Sequence, residues 1–369
     1  MAIPTPIPSS SIDTTFRKTT NLASSSLNST ILSRSDDYFA SVTNLLTPTP
    51  PIHKPGTFVH TGAWYDGWET RRHNPEPYDW AVIKLGIIGG GVVEGVEIDT
   101  AHFVGNYGEK VLVEGTYIDP LSSSTPSSPS SEEEDVTNPK FQHWTTILPL
   151  QPCGPSCRQA WKLAAPTKPL THVRLRMYPD GGIARLRLYG HAIPPPPLTT
   201  TSGTQPLEEL SSALLGGLVL SASDQHFTPA SNILLPGRGV NMGDGWETAR
   251  SRTPSHVDWV IIRLGLAGSI EKVVIDTKDF RGNFPRGVRV CGFPRQEEGR
   301  EREPEVGDGG WVDVLGGEKG CVADAEHVFD ARKGEIGLEC QGRVFSHVML
   351  TLVPDGGVKR FRVFGRRAL

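Results

Sequence analysis

The chain repeats one series of sequence blocks, and this internal repeat limits the possible folds more than any other feature. Four blocks recur in the same order in the two halves: LSRSDDYFASVTNLLTP and LSASDQHFTPASNILLP, DGWETRRHNPEPYDWAVIKLG and DGWETARSRTPSHVDWVIIRLG, VEIDTAHFVGNYG and VVIDTKDFRGNFP, THVRLRMYPDGGIARLRLYG and SHVMLTLVPDGGVKRFRVFG. The repeat is as long as a whole domain, far longer than the unit of a solenoid protein. The sequence therefore predicts two copies of one fold in tandem.

Segments of unusual composition mark where the two copies begin and end. Repeat 1 is assigned to residues 13–192 and repeat 2 to residues 207–369. Residues 193–206 are rich in proline and predict a semi-extended linker between the repeats. Residues 121–139 contain almost nothing apolar to bury, so they predict a disordered low-complexity loop. Residues 1–12 are assigned to a disordered N-terminus.

Composition argues against several classes of protein. The 37 basic and 41 acidic side chains give a net charge of −4, which favours neither a nucleic acid nor a membrane as partner. No apolar stretch reaches the ~20 residues of a membrane span, and the first residues do not resemble a secretory signal. The five cysteines are odd in number and lie at unmatched positions in the two copies. They predict free thiols in a reducing, cytoplasmic setting.

The last block of each copy predicts β-strands. In repeat 1, Val173, Leu175 and Met177 alternate with arginine, and Leu186 and Leu188 do the same after a Pro-Asp-Gly-Gly turn. Alternation with a period of two predicts strands with one buried face. The intervening turn predicts that the two strands form a β-hairpin.

Other short, β-branched segments bounded by glycine or polar residues also predict strands. Only residues 207–217 and their counterpart near residues 20–29 predict short helices. The predicted fold class is therefore all-β, with two tandem antiparallel β-sandwiches of the jelly-roll type.

The Asp-Gly-Trp-Glu-Thr block, present twice, contains the first candidate site residues. Glu69 and Glu247 are candidates to transfer protons, while Arg72 and Arg250 are candidates to bind a substrate carboxylate bidentately. A structural interpretation stands beside this one, in which the tryptophans pack in the core and each Glu–Arg pair fixes a loop. The residue pattern leaves both interpretations open.

Two further pairs recur in both copies. Asp99 and Asp276 end apolar strands in Ile-Asp-Thr, so each is either a turn cap or a candidate general base. Of the eleven histidines, only His172 and His347 match between the copies. Each is either a structural residue or a general acid near neutral pH.

Other acidic residues of the blocks are assigned to the fold, and no metal motif is found. The turn-forming aspartates are Asp36, Asp37, Asp224, Asp180 and Asp355. His-x-His, His-Glu-x-x-His and Cys-x-x-Cys do not occur in the sequence. No cofactor is therefore identified, and a divalent metal has no support from a sequence motif.

The complete set of paired blocks resembles the allantoicase family. The set comprises Ser-Asp-x-x-Phe, Asp-Gly-Trp-Glu-Thr-x-Arg, Asp-Trp-x-x-Ile-x-Leu-Gly, Ile-Asp-Thr-x-x-Phe-x-Gly-Asn and Pro-Asp-Gly-Gly, and it covers most of both halves. The resemblance implies two galactose-binding-like jelly-roll domains in a homo-oligomer. It also implies an enzyme with the small-molecule substrate allantoate, which it hydrolyses to ureidoglycolate and urea in purine-derived ureide degradation.

The implied reaction breaks a C–N bond at a carbon that bears a carboxylate and two ureido groups. It needs a cation for the carboxylate, an acid for the departing urea and a base for water. The candidate catalytic residues are His172, His347, Glu69, Glu247, Asp99 and Asp276. The candidate substrate-binding residues are Arg72, Arg250, Asp66, Asp244, Trp68 and Trp246.

The two copies also differ, and a second function fits the fold. Copy 1 has Ala-Trp-Tyr before Asp66 where copy 2 has Asn-Met-Gly before Asp244, and His102 lies opposite Asp279. These differences indicate that the two sites need not be equivalent. The alternative function is a pair of non-catalytic, discoidin-like carbohydrate-binding sandwiches, which bind through loops without catalysis.

Overall fold

β-Strands dominate both halves of the computed structural model. The residues that it describes are 3–119, 135–138, 141–197, 205–296 and 302–368. Most of the predicted low-complexity loop 121–139 and the centre of the predicted linker 193–206 lie outside the described residues. The chain divides into two units, residues 1–193 and residues 194–369.

The first unit is built almost entirely from strands. They are β1 (Thr5–Ile7), β2 (Thr20–Asn21), β3 (Thr30–Arg34), β4 (Phe58–Val59), β5 (Gly62–Ala63), β6 (Trp68–Glu69), β7 (Asp79–Lys84), β8 (Gly91–Asp99), β9 (Lys110–Thr116), β10 (Thr145–Pro152), β11 (Arg158–Lys162), β12 (His172–Tyr178), β13 (Gly182–Ile183) and β14 (Arg185–Ala192). A short α-helix, α1, spans Ile12–Thr15, and 3-10 helices span Ser9–Ser11, Ser25–Leu27 and Val42–Leu46.

Two antiparallel sheets enclose the core of the first unit. One sheet has the order β1-β11-β8-β14-β2 and the other the order β10-β9-β12-β7-β3. Val173, Leu175 and Met177 of β12 are fully buried, as are Leu186 and Leu188 of β14. Because these two strands belong to different sheets, the core lies between the sheets, as in a sandwich.

The second unit repeats this plan with different strand lengths. Its strands are β15 (Glu208–Glu209), β16 (Leu218–Ala222), β17 (Trp246–Glu247), β18 (Asp258–Asp276), β19 (Gly287–Pro294), β20 (Val312–Asp313), β21 (Lys319–Gly320), β22 (Glu326–Asp330), β23 (Phe345–Val353), β24 (Gly357–Val358) and β25 (Arg360–Arg367). Its 3-10 helices span Ala213–Leu215, Ala230–Leu234, Met242–Asp244, Ala331–Lys333 and Leu338–Cys340.

One long strand joins the two layers of the second unit. β18 pairs with β23 through residues 258–263 and with β25 through residues 268–276, with a register shift between them. The first unit divides the equivalent stretch into β7 and β8. Gly89, Gly90 and Gly91 lie at this break, and Gly90 has a φ of 98° that favours glycine.

The Pro-Asp-Gly-Gly turn differs from the prediction made from the sequence. β12 pairs with β7 and β9, whereas β14 pairs with β8 and β2, so the two strands lie in different sheets. Gly181, at a φ of 128°, and Gly356, at 133°, let the chain cross from one layer to the other. The predicted buried faces are confirmed, but the predicted hairpin is wrong.

The two predicted helical segments also need correction. Each contains a single three-residue 3-10 turn, at Ser25–Leu27 and Ala213–Leu215, rather than an α-helix. Asn28 and Gly216 end these turns in the left-handed conformation, which is a common way to stop a helix.

The described N-terminal residues are ordered by contacts that the composition did not reveal. β1 pairs with β11 in the first sheet. Ile12 and Phe16 are buried against Ala160, with Ile7 packed beside them. Burial of these apolar side chains explains why the segment from residue 3 to residue 12 differs from the predicted disorder.

The all-β prediction, with two tandem antiparallel sandwiches, is confirmed. All five cysteines are free thiols. In the part of the chain that the structure describes, no helix is long and apolar enough to cross a membrane.

Candidate active site

Short strand pairs bring the recurring blocks together at one end of each unit. In unit 1, Glu69 pairs with Gly182, and Tyr107 from the loop after β8 forms a bridge with the same glycine. In unit 2, Glu247 pairs with Gly357. We call this end the rim. It comprises residues 66–72, 100–108 and 179–182 in unit 1 and residues 244–250, 277–285 and 354–357 in unit 2.

The rim is closely packed where the Asp-Gly-Trp-Glu-Thr block enters it. A Cβ atom on Gly67 would lie 2.8 Å from the Cα of Ala184 and 2.6 Å from a ring carbon of Phe103. Contacts this short would force the backbone of Ala184 to move, so only glycine fits. Gly67 therefore sets the chain path that brings Glu69 to the rim.

A hydrogen-bonded Glu–Asn pair lies on both rims. Asn106 Nδ2 donates to Glu69 Oε1 at 2.7 Å, and Asn283 Nδ2 donates to Glu247 Oε1 at 2.5 Å. Burial raises the pKa of Glu69, which is 8% exposed, while the Asn106 hydrogen bond and the charge of Arg72 oppose the shift. The asparagines were not among the predicted site residues, although both copies contain Phe-x-Gly-Asn.

The two rim arginines have different surroundings. Arg72 donates to the carbonyl of Gly105 at 3.1 Å and lies 4.0 Å from Asp180 Oδ1. Arg250 is exposed and makes no hydrogen bond or ion pair with another described residue. It lines a 450 Å³ cavity together with Arg286. The guanidinium of Arg250 is therefore available to a ligand.

Trp68 and Trp246 do not line a site, which corrects their assignment to substrate binding. Both side chains are fully buried. Each indole Nε1 donates to a backbone carbonyl, that of Asp36 at 2.7 Å and that of Asp224 at 2.9 Å. Because each ring lies in the core and each indole N–H already has an acceptor, neither side chain is accessible to a substrate.

Asp66 and Asp244 face inward and pair with basic residues of the fold. Asp66 Oδ2 accepts hydrogen bonds from Arg185 at 2.8 Å and from the backbone of Ile52 at 2.9 Å. Asp244 contacts Lys359 and accepts from the backbone N–H of Val240 at 2.7 Å. Their assignment to substrate binding is corrected to a structural one, because these contacts hold Asp66 Oδ2 and both oxygens of Asp244 within the protein.

Asp99 and Asp276 lie at strand ends and are almost completely buried. Asp99 Oδ1 accepts from the backbone N–H of Ala101 at 2.8 Å, and burial raises the pKa of this carboxyl. Asp276 binds both nitrogens of the Arg238 fork at 2.8 Å and accepts from the backbone of Lys278. Of the two interpretations left open by the sequence, this geometry favours the turn cap over the general base.

The recurring histidines lie at the far end of each unit. His172 begins β12 and His347 lies near the start of β23, whereas the rim follows the last residues of these strands. At about 3.3 Å per residue, β12 places Tyr178 ~20 Å from His172. Within one unit, the histidine and the rim glutamate therefore do not share a site.

Both histidine rings are neutral near pH 7. Burial lowers their pKa to about 4, and the positive charges of Lys84 beside His172 and Arg263 beside His347 add to the effect. A protonated imidazole is therefore not available as a general acid near neutral pH, which corrects the catalytic assignment of His172 and His347.

The predicted turn-forming aspartates bind the loops of the rim. Asp36 and Asp224 accept backbone N–H groups from residues just after the Asp-Gly-Trp-Glu-Thr blocks. Asp180 and Asp355 accept backbone N–H groups two residues further along the same loops. These contacts fit the structural assignment that the sequence suggested.

A buried lysine distinguishes the second rim. Lys359 is fully buried, and its Nζ contacts Asp244 Oδ1 and lies 3.0 Å from Asp279 Oδ2. At the equivalent positions unit 1 has Ala184 and His102. The His102–Asp279 difference was noted from the sequence, but the lysine was not among the predicted site residues. The sequence feature that could have identified the lysine is that Lys359 and Asp279 occur together in copy 2, whereas copy 1 has neither.

Potential metal ligands do not assemble at the rims. Among the described residues, no group of three or more His, Cys, Asp or Glu side chains is arranged to hold a metal ion.

Comparison with known families gives a match over both halves. A family model described as "Allantoicase repeat" matches residues 20–193 and 208–368. An allantoicase of Neurospora crassa is 49% identical over 373 residues, which cover 100% of this chain and 98% of that protein. An allantoicase of Saccharomyces cerevisiae is 44% identical over 351 residues, covering 94% of each chain.

Solved structures give the same result. The crystal structure of allantoicase from Saccharomyces cerevisiae has a TM-score of 0.78 and 38% identity, covering 98% of this chain and 99% of that chain. A second allantoicase structure has a TM-score of 0.74 and 39% identity, covering 94% and 93% of the two chains. The likeness therefore extends over both units.

Proposed function

The chain belongs to the allantoicase family of hydrolases, and we propose that it hydrolyses allantoate to ureidoglycolate and urea at the rim of unit 2. The family match over both repeats and full-length relatives named allantoicase support the reaction. The observation that carries the choice of site is an arginine, Arg250, without a partner among the described residues, in a cavity that Gly282 and Phe284 also line. These two residues flank Asn283, the hydrogen-bond partner of Glu247.

The substrate's carboxylate binds to Arg250 in this proposal. Its guanidinium has no partner among the described residues and offers a planar fork that matches a carboxylate. Arg286 lines the same 450 Å³ cavity and adds a second positive charge, although it also lies 3.4 Å from Glu318. Pockets that hold small ligands are typically of about this size.

Glu247 transfers the protons. In its protonated form it donates a proton to the nitrogen of the departing urea, whose C–N bond breaks with the bonding pair moving to that nitrogen. The lone pair of the retained ureido nitrogen forms a C=N bond to the central carbon. Water then adds to this carbon and gives its proton to the Glu247 carboxylate, which restores the acid and leaves ureidoglycolate.

Asn283 fixes the orientation of Glu247 in both steps. Its amide nitrogen donates to one carboxyl oxygen, so the other oxygen is the one that exchanges protons with substrate and water. In unit 1 the equivalent carboxyl, Glu69, has a pKa raised by burial.

The test is to remove one rim carboxyl at a time. In the purified full-length chain, Glu247→Gln is expected to lower kcat for urea release from allantoate by about 1000-fold, within the range for lost acid–base catalysis. Glu69→Gln is the matched variant in unit 1 and should retain most of the activity. The assay is run with and without added divalent metal.

Two outcomes would contradict the proposal. If Glu247→Gln turned over allantoate like the unchanged protein, Glu247 would not transfer the protons. If the unchanged protein released no urea under any condition, the carbohydrate-binding alternative would gain support.

A further inference from the structure

A second cavity in unit 2 lies at the end opposite to the rim. Its volume is 460 Å³, and the residues that matter for its chemistry are Arg263, Phe293, Arg295, Ser346, His347 and Arg367. Strand β23 links the two ends, with His347 near its start and the rim turn after its last residue. Six residues of extended chain separate them by ~20 Å, so this cavity and the Arg250 cavity are different sites.

His347 lines this cavity and has a polar ring atom without a partner among the described residues. The residue is 9% exposed, and Nε2 is a buried atom with no hydrogen-bond partner among the described residues. Nδ1 lies 2.9 Å from Ser346 Oγ. When the serine hydroxyl donates to Nδ1, the ring proton is on Nε2, which becomes a neutral donor. A buried donor without a protein partner costs stability unless another molecule accepts its hydrogen bond.

The positive charges of the cavity are only partly compensated. The Arg263 side chain forms no hydrogen bond or ion pair with another described residue, and the Arg295 guanidinium is likewise free of such contacts there. Arg302 is paired with Asp308, and Arg367 with Glu208. Among the residues that line the cavity, Glu303 is the acidic one. The cavity therefore has two available guanidinium groups and one lining carboxylate. This excess of positive charge favours the binding of an anion.

We propose that this cavity binds a small carboxylate that also carries a hydrogen-bonding carbonyl group, such as a ureido carboxylate. Arg263 binds the carboxylate through its planar fork, and the Nε2–H of His347 donates to the carbonyl oxygen. Phe293 supplies an apolar wall. The occupant is a second molecule, independent of the one proposed to react at Arg250.

The first unit lacks this combination. On the strands that pair with the histidine strand, Lys84 and Thr116 lie opposite His172. The corresponding residues opposite His347 are Arg263 and Phe293. Of the two histidines, only His347 has a buried Nε2 without a partner in the described part of the chain. Lysine also lacks the fork that matches a carboxylate. The inferred site is therefore specific to unit 2.

The test follows the histidine rings directly. The full-length chain is labelled with ¹⁵N-histidine and titrated with N-carbamoylglycine, a ureido carboxylate with no second urea to lose. His347→Gln identifies the ring signal of His347 among the eleven histidines. We expect a saturable shift of that signal, and at least a tenfold weaker apparent affinity in Arg263→Gln. Lys84→Gln is the matched control in unit 1 and should leave the affinity unchanged.

Each other outcome would overturn the inference. An unchanged His347 signal at high ligand concentration would mean that the cavity does not bind this class of ligand. Equal affinity in Arg263→Gln would remove the proposed carboxylate contact. Equal shifts with inorganic phosphate at the same concentration would indicate a general anion site without carboxylate selectivity.

Urea release separates this inference from the proposed reaction. Arg263→Gln is assayed beside Glu247→Gln. If Arg263→Gln stops turnover as strongly as Glu247→Gln, the cavity holds the reacting substrate, and a second, independent site is ruled out. If Glu247→Gln retains full turnover while His347 still responds to N-carbamoylglycine, the proposed reaction site fails and the second site stands.

Discussion

The rims of the two units contain the same Glu–Asn pair but differ in the cations around it. In unit 1, Arg72 is engaged by the Gly105 carbonyl and lies near Asp180. In unit 2, Arg250 has no such partner among the described residues. The shared strand pairing positions the carboxyl in both units, whereas the surrounding loops decide whether a guanidinium is available. A duplicated fold can therefore preserve a catalytic group while only one copy retains the means to bind the substrate.

Two more substitutions change the charge of residues next to the second rim. Arg286 occupies the position that corresponds to Glu109, so one acidic side chain becomes basic. Lys359 occupies the position of Ala184 and is held by Asp244 and Asp279. The charge of Lys359 is offset by Asp279, which stands in place of His102, so the net gain of positive charge comes from Arg286. That gain fits the binding of an anionic substrate in unit 2.

The largest effect is expected from removing the buried lysine. Lys359→Met should lower the free energy of unfolding by about 3 kcal/mol, the lower end for breaking a buried ion pair, because Asp244 and Asp279 keep some contact with solvent. Urea denaturation measures the change. Lys333→Met, at an exposed position, serves as the control and should cost less than about 0.5 kcal/mol. Equal effects of the two variants would show that Lys359 does not hold the second rim together.

The next effect tests the difference between the rim arginines. Arg250→Gln should lower kcat/KM for allantoate by about 100-fold, because a charge-assisted pair with the substrate carboxylate is lost. Arg72→Gln should change kcat/KM by less than about threefold, because Arg72 is held by its own loop. Urea release under first-order conditions measures both. A larger loss in Arg72→Gln would move the competent site to unit 1.

Both units contain a buried histidine, and the pH dependence of stability tests this shared feature. His172 and His347 have folded-state pKa values of about 4, below their ordinary value of 6.5, so the unfolded chain binds more protons between these values. Stability should therefore fall as pH falls from 6.5 towards 4, by about 2 kcal/mol per histidine at pH 4.5 relative to pH 7. Urea denaturation at the two pH values should show a smaller loss in His172→Gln and in His347→Gln. Ring titration midpoints near 6.5 in the folded chain would contradict this.

The smallest effect concerns the second cation of the cavity. Arg286→Glu gives unit 2 the residue found in unit 1 and should raise KM about tenfold with little change in kcat, since one favourable charge becomes repulsive. Glu109→Arg is the reciprocal change and should leave KM unaltered. The difference should shrink as salt is added, because Arg286 is exposed. An unchanged KM in Arg286→Glu would show that Arg286 does not contribute to substrate binding, which would then depend on Arg250.

The sequence predicted the parts of this molecule that depend on local patterns. The duplication, the all-β class, the buried faces of β12 and β14 and the family were all correct. The hairpin at Pro-Asp-Gly-Gly was wrong, because alternation fixes which face is buried but not which strand lies alongside. A glycine turn serves equally well to cross between sheets.

The site residues were harder to select, because the two copies retain structural and chemical residues alike. Trp68 recurs because its side chain fills the core, and Asp99 recurs because its carboxylate caps the end of a strand. His172 recurs at the end of the unit away from the rim. Asn106 was overlooked because its role depends on a hydrogen bond to Glu69, 37 residues earlier in the chain.

The uninterrupted strand β18 has a consequence for how unit 2 opens. Because one backbone is hydrogen-bonded to β23 in one layer and to β25 in the other, neither layer can come apart without pulling on its neighbour. In unit 1 the glycine-rich break between β7 and β8 is a joint at which the layers can separate independently. Amide hydrogen exchange should therefore detect one cooperative opening event across both layers of unit 2, and two events with different rates in unit 1.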